Sequence, residues 1–200
     1  RFTDPAGERH DAIWYRMGDK TYPLSHNRIR HIYEDKEQQL WIATDGSINR
    51  YDYATRQFIH YNIVDNTGTY NTNWTYYIFE DTAGQLWIST CLGGIFVVDK
   101  HKLMQSTSGQ YIAEQNYSVH NGLSGMFINQ IIPDNEGNVW VLLYNNKGID
   151  KINPRTREVT KLFADELTGE KSPNYLLCDE DGLLWVGFHG GVMRINPKDE

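Results

Sequence analysis

The chain reads as all-β, a partial propeller of about four blades, each blade made of four antiparallel strands. Three observations carry that expectation. A sequence unit recurs four times, its tryptophans stand 46, 53 and 45 residues apart, and the composition favours strands. A repeat in the forties with short strands belongs to propellers. The chain holds 13 Tyr, 6 Trp and 7 Phe, residues that suit a pleated, half-buried surface. Helix-favouring runs of Ala, Leu, Glu and Lys are scarce.

The units run from Ile32 to Thr44, Ile78 to Thr90, Ile132 to Val141 and Leu177 to Gly187. In each, a short first strand leads to an Asp: Asp35, Asp81, Asp134 or Asp179. Asp-x-x-Gly then makes a turn, because Asp can hydrogen-bond the turn backbone and Gly accepts a positive φ. Gly84, Gly137 and Gly182 hold that place; Gln38 stands there in the first unit, which predicts a strained or differently shaped turn. The acidic runs Glu34-Asp35, Glu80-Asp81 and Asp179-Glu180-Asp181 recur at this turn. They are therefore read as turn builders lying apart from one another, not as acid/base or calcium chemistry, since no single loop offers the six or so oxygens calcium needs.

The second strand carries Trp41, Trp87, Trp140 and Trp185, each expected to be buried and to fill the gap between neighbouring blades. Glycine turns follow at Asp45-Gly46, Gly93-Gly94, Lys147-Gly148 and Gly190-Gly191, then a third strand. Turns such as Asn153-Pro154-Arg155-Thr156, where Pro presets φ, lead into fourth strands such as Gln57 to Tyr61 and Glu158 to Leu162. The chain accordingly divides into 1–27, outer strand or strands of a preceding blade plus connector, blades over 28–62, 73–117 and 128–163, and a truncated blade over 174–200. An arc with unmatched ends exposes apolar flanks and an open edge, so self-association is expected. Two copies joined into a ring of about eight blades are favoured over the stretch Ile13 to Met17 completing the last blade.

The net charge of −7 argues against nucleic acid, whose phosphates require a basic surface. No apolar run approaches the roughly 18 residues of a membrane span, so a membrane enters only through parts outside this chain. Cys91 and Cys178 form no framework and read as reduced, structural residues. The histidines His10, His26, His31, His60, His101, His120 and His189 show no metal spacing, and there is no G-x-S-x-G elbow. No metal, cofactor or catalytic residue is expected.

At Asp81 to Thr90 and Asp179 to Gly187 the chain resembles the two-component regulator propeller repeats, whose blade reads roughly D-x-x-G-x-L-W-I-G-T. The connectors Leu24-Ser25-His26-Asn27-Arg28-Ile29 and Asn121 to Ile128 resemble that family's G-L-S-x-N-x-I. The likeness extends over nearly all of 24–197. Gln38, Met126 and Leu142-Leu143 depart from the pattern. The resemblance implies a periplasmic region of a hybrid two-component histidine kinase of Bacteroidetes type, built of seven-bladed propellers. It further implies oligosaccharide ligands and signalling to polysaccharide-utilisation genes.

Loops on a rigid scaffold carry function more often than strands do. The connection from Asn62 to Asn73 offers Tyr70, with Trp74 following, and the loops after the second strands offer Asp45, Tyr144-Asn145-Asn146 and His189. Aromatic faces beside amides and carboxylates suit sugars, so these residues are the expected ligand contacts. The main reading is a non-catalytic sensor. The rivals are a propeller-fold lyase or hydrolase, which needs a convergent His/Tyr/acid cluster, and a protein scaffold without a small ligand.

Overall fold

In the computed structural model the described residues are 2–3, 9–10, 12–20, 23–107, 109–144, 148–163 and 172–198. The elements in chain order are β1 (Phe2–Thr3), β2 (Arg9–His10), β3 (Ile29–Glu34), β4 (Leu40–Thr44), β5 (Ser47–Asp52), β6 (Gln57–Tyr61) and β7 (Ile63–Val64). Then come β8 (Thr75–Glu80), β9 (Gln85–Thr90), β10 (Ile95–Asp99), α1 (Lys100–Gln105), β11 (Tyr111–Ile112) and β12 (Gln115–Tyr117). After a short 3-10 turn, Val119–Asn121, follow β13 (Ile128–Pro133), β14 (Val139–Leu143), β15 (Ile149–Asn153), β16 (Glu158–Leu162), β17 (Pro173–Cys178), β18 (Leu184–Phe188) and β19 (Gly191–Ile195).

Antiparallel pairing sorts these strands into blades β3-β4-β5-β6, β8-β9-β10-β12 and β13-β14-β15-β16, with a three-stranded β17-β18-β19. The first strand of each blade packs against the first strand of the next. Two features escape the repeat. Helix α1, capped by the Asp99 side chain accepting from Lys102 N–H, occupies the slot where the other blades have a plain turn. The connection after the first blade is sutured rather than loose: β7 pairs in parallel with β11, and the Asp65 carboxylate accepts from Thr67 Oγ1 and from Tyr70 N–H.

The turn after each first strand explains the Asp-to-Trp spacing. Besides turn amides, each Asp carboxylate accepts the indole N–H six residues on: Trp41 to Asp35 at 2.9 Å, Trp87 to Asp81 at 2.9 Å, Trp140 to Asp134 at 3.0 Å and Trp185 to Asp179 at 2.6 Å. A buried indole N–H left unpaired would cost free energy, so turn builder and core tryptophan are one device. Gln38 does not reshape its turn. It takes φ 61°, beside 77°, 85° and 81° at Gly84, Gly137 and Gly182, and so bears the left-handed strain that glycine avoids. Glycine is obligatory at Gly94, at φ +76°, where a Cβ would meet the Tyr117 carbonyl oxygen at 2.0 Å.

The core lies between blades, not within them. Trp41, Ala43 and Ile48 meet Ile78, Leu86 and Ile88 of the next blade. Phe79 and Trp87 meet Ile131, Val139 and Val141, and Ile132 and Trp140 meet Leu176, Leu184 and Val186. The same register positions are exposed where no neighbour stands. Three residues before the turn Asp, Ile78, Ile131 and Leu176 are buried, but Ile32 is 61% exposed. Two residues before it, Phe79 and Ile132 are buried, but Leu177 is 51% exposed. Trp185 is half-buried for the same reason, unlike Trp41, Trp87 and Trp140, although all four occupy the expected second strands.

One alternative is removed here and one expectation is corrected. Among the described residues, the N-terminal stretch does not complete the last blade, the less favoured of the two ways to relieve the open edge. Instead Tyr15 packs edge-on against Tyr51 and Phe58 of the first blade, and Met17 N–H donates to Asn27. The acidic runs do not all lie apart either. Asp35 and Glu80 converge on the buried Lys100 ammonium, at 3.2 and 2.9 Å, and Glu80 also accepts from Lys36 N–H. Helix α1 brings that lysine in, and no blade-level repeat could have shown it.

Candidate functional site

Each blade ends its second strand beside the point where the incoming connector begins the first. The backbone closes this juncture in the same way three times: Asp45 N–H donates to Arg28 O, Cys91 N–H to Trp74 O, and Tyr144 N–H to Phe127 O. The side chains of these pairs therefore stand at equivalent places on one face of the arc, at the connector end of the inner strands. Two neighbouring clefts open there.

The first, about 390 Å³, lies between the first two blades and is lined by Asp45, Thr69, Tyr70, Asn71, Asn73, Trp74, Leu92 and Gly93. It brings together three residues that the sequence pointed to separately: Asp45, Tyr70 and Trp74. Trp74 N–H donates to the Asp45 carbonyl, which locks the second connector onto the first blade's turn. Trp74 holds φ 54° and is 46% exposed, so a bulky residue keeps a left-handed backbone while its ring faces solvent. Strain at a residue whose packing does not repay it is a mark of functional positions. Tyr70 also walls a more polar cleft of about 530 Å³ shared with Asp65, Glu114, His120 and Arg157, and its hydroxyl lies 3.3 Å from His120 Nε2.

The second cleft of this face, about 330 Å³, lies between the second and third blades and is lined by Arg30, Tyr76, Cys91, Phe127, Ile128, Asn129 and Tyr144. Tyr144, an expected contact, sits here rather than with Asp45. The Asp45 carboxylate is held by Arg30 Nε at 2.7 Å and Arg28 Nη1 at 3.2 Å. Its burial pushes its pKa up, but the Arg30 hydrogen bond and the two guanidinium charges outweigh that and hold it below the ordinary carboxylate range. Burial pushes the Cys91 thiol up, which makes it a packing residue rather than a nucleophile.

His189 occupies the place in the last blade that corresponds to Asp45, Cys91 and Tyr144; it is exposed and lines neither cleft. Asn145 and Asn146 lie outside the described residues. Asn71 belongs to the connection the sequence pointed to, whereas Leu92, Arg30, Tyr76 and Phe127 were not singled out as contacts. Counting back from each turn Asp would have found some of them: seven residues back gives Arg28, Trp74 and Phe127, and five gives Arg30, Tyr76 and Asn129. Among the described residues no group of three or more His, Cys, Asp or Glu side chains is arranged to hold a metal ion.

Residues 23–46 match the family described as two component regulator propeller. No curated protein matches the chain. Among solved structures, the extracellular domain of a one component system from Bacteroides thetaiotaomicron is 98% identical, with a TM-score of 0.92. That likeness covers 99% of this chain and 27% of the other, so the chain spans about a quarter of that relative's length. The extracellular domain of a hybrid two component system from the same organism is 19% identical over 92% of this chain and 25% of its own, with a TM-score of 0.69. Virginiamycin B lyase from Staphylococcus aureus is 17% identical over 88% of this chain and 56% of its own, with a TM-score of 0.65. At such identities the last two share the fold alone.

Proposed function

The chain is built of two component regulator propeller repeats, and from that premise we propose that it is a ligand-sensing part of an extracytoplasmic sensor, with oligosaccharides as the ligands. One observation carries the reading: Asp45, Tyr70 and the strained, exposed Trp74 line one cleft with the amides of Asn71 and Asn73. A sugar ring offers a C–H face to an indole and hydroxyls to side-chain amides, and pockets of this kind hold a few placed polar groups among apolar walls. The polar cleft does gather Tyr70, His120 and Glu114, the residue types a propeller lyase needs, so turnover assays on the same oligosaccharides are run beside the binding test; turnover there would favour the enzyme reading.

Ligand seated between two blades would favour one inter-blade arrangement over another, and only such differential contact can transmit a signal. The output of the parent polypeptide follows from its other parts. A hybrid histidine kinase that switches polysaccharide-utilisation genes would pass phosphate to a receiver. A one component system, as the 98%-identical relative is described, would carry its output directly. Phosphotransfer assayed on the parent separates the two. The apolar flanks at Ile32 and Leu177 support association with further blades or a second copy, which light scattering reads directly.

The binding test is calorimetric titration of the complete extracytoplasmic protein with neutral and acidic oligosaccharides, beside the Trp74→Ala variant. Binding that weakens about tenfold or more on loss of the ring is expected for a stacked hot-spot aromatic. Unchanged affinity in Trp74→Ala would move the site elsewhere, and no binding of any oligosaccharide would remove the reading.

A further inference from the structure

We propose that the second cleft takes a ring that bears a carboxylate, a uronic acid unit in an oligosaccharide, with Arg30 as the residue that reads the charge. The inference rests on the sugar-sensing reading and deepens it. Arg30, Tyr76 and Asn129 stand at one register, five residues before the turn Asp of successive blades, so three blades contribute to one opening. The Arg30 guanidinium lies over the Tyr76 ring, 4.5 Å from its centroid, and donates through Nε and Nη2 to Asp45 at 2.7 and 3.3 Å. Its position is thus set from two sides, by a face and by an edge. Its third nitrogen, Nη1, has no protein partner among the described residues.

Charge decides the class of ligand. Among the described residues no carboxylate lines the cleft, and the one behind it, Asp45, is shared between Arg30 and Arg28. Two guanidinium groups facing one carboxylate leave a positive excess in a chain whose net charge is −7. A preorganised guanidinium edge is suited to a carboxylate, which it meets with paired N–H donors. The walls suit a ring: Phe127 is 40% exposed and Tyr144 61% exposed, and both line the cleft with Tyr76. The volume of about 330 Å³ suits one ring unit, not a chain of them.

The test uses the complete extracytoplasmic protein and a panel of uronate oligosaccharides, each paired with its carboxyl-reduced counterpart, titrated by calorimetry at low and high salt. At least one acidic member should bind about tenfold more tightly than its reduced partner, with the advantage shrinking as salt rises. Arg30→Gln should abolish the advantage, so that the acidic member and its reduced partner bind alike in the variant. Tyr144→Ala should weaken both members alike. Equal binding within every pair, or an advantage that survives in folded Arg30→Gln, would overturn the proposal and leave the sensor reading standing. If Arg30→Gln does not fold, the salt series and the reduced partners decide on the unaltered protein. If no oligosaccharide of either kind binds, this proposal and the sensor reading fall together.

Discussion

The first and third blades are built on the same frame, yet they grip their neighbours with different chemistry. Four residues before the turn Asp, His31 and Gln130 each reach the backbone of the next blade. His31 Nδ1 accepts from Ile78 N–H at 3.3 Å, whereas Gln130 makes two bonds, accepting from Leu176 N–H at 2.8 Å and donating to its carbonyl at 2.9 Å. The first junction adds what the third lacks: Lys100, fully buried, against Asp35 and Glu80. Burial alone would lower the Lys100 pKa, but the two carboxylates outweigh it and hold the ammonium charged. The connectors differ in the same spirit. Ser25 is bound by Asn49, an amide that donates and accepts, and Ser124 by Asp150, a buried carboxylate that accepts both the N–H and the hydroxyl at 2.7 Å. One backbone device therefore tolerates amide, imidazole or carboxylate, provided each buried polar atom finds its complement.

The strongest way to break the comparison is Lys100→Met. It strands two buried carboxylates, and unfolding in urea should show a loss of about 3–5 kcal/mol, partly recovered by adding Glu80→Gln. Next comes Trp140→Ala, expected to cost about 3–5 kcal/mol in the same assay. Trp185→Ala in the 200-residue chain should cost clearly less, because that ring is only half-buried; equal costs would contradict the inter-blade core. Gln130→Leu removes a two-bond grip and should cost about 1–3 kcal/mol, since the Leu176 amide and carbonyl are left unpaired.

A smaller effect is expected from Asp150→Asn. Burial pushes the Asp150 carboxyl above its ordinary range, against the pull of Ser124. A raised folded value contributes stability below the ordinary carboxylate range and loses it as pH rises through the folded value. Asparagine, which serves Ser25 in the first blade, should therefore be neutral or stabilising at neutral pH and should remove the fall in stability that begins as pH rises above the ordinary carboxylate range. A marked loss at neutral pH would contradict this. Smallest is Gln38→Gly, expected to raise stability by about 0.5–1 kcal/mol as left-handed strain is relieved, offset by glycine's greater unfolded freedom. A destabilised variant would show that the Gln38 side chain does more than occupy the turn.

Much of the architecture was legible in the residues because it is local and repeated. Asp-x-x-Gly, the tryptophan six residues after Asp, and the glycine turn each act within a dozen residues, and recurrence at 46, 53 and 45 residues multiplied a weak signal four times. The candidate contacts Asp45, Tyr70 and Trp74 could be named one by one as loop residues, but not as neighbours. Tyr144 and Asp45 looked alike by position and fall in different clefts, because a cleft is made by neighbouring blades together and not by one.

The sequence by itself therefore determined the all-β repeat, the four tryptophan strands and the turns, since these follow from nearest-neighbour backbone chemistry and a spacing that can be counted. Only the tertiary structure decided that Lys100 closes on Asp35 and Glu80, that Ile32 and Leu177 are exposed while their repeat partners are buried, and which loop side chains share a cleft. The physical reason is common to all three. In a propeller each blade's faces are completed by its neighbours. Burial, ion pairing and pocket shape therefore belong to the junction, where residues some fifty positions apart in sequence meet.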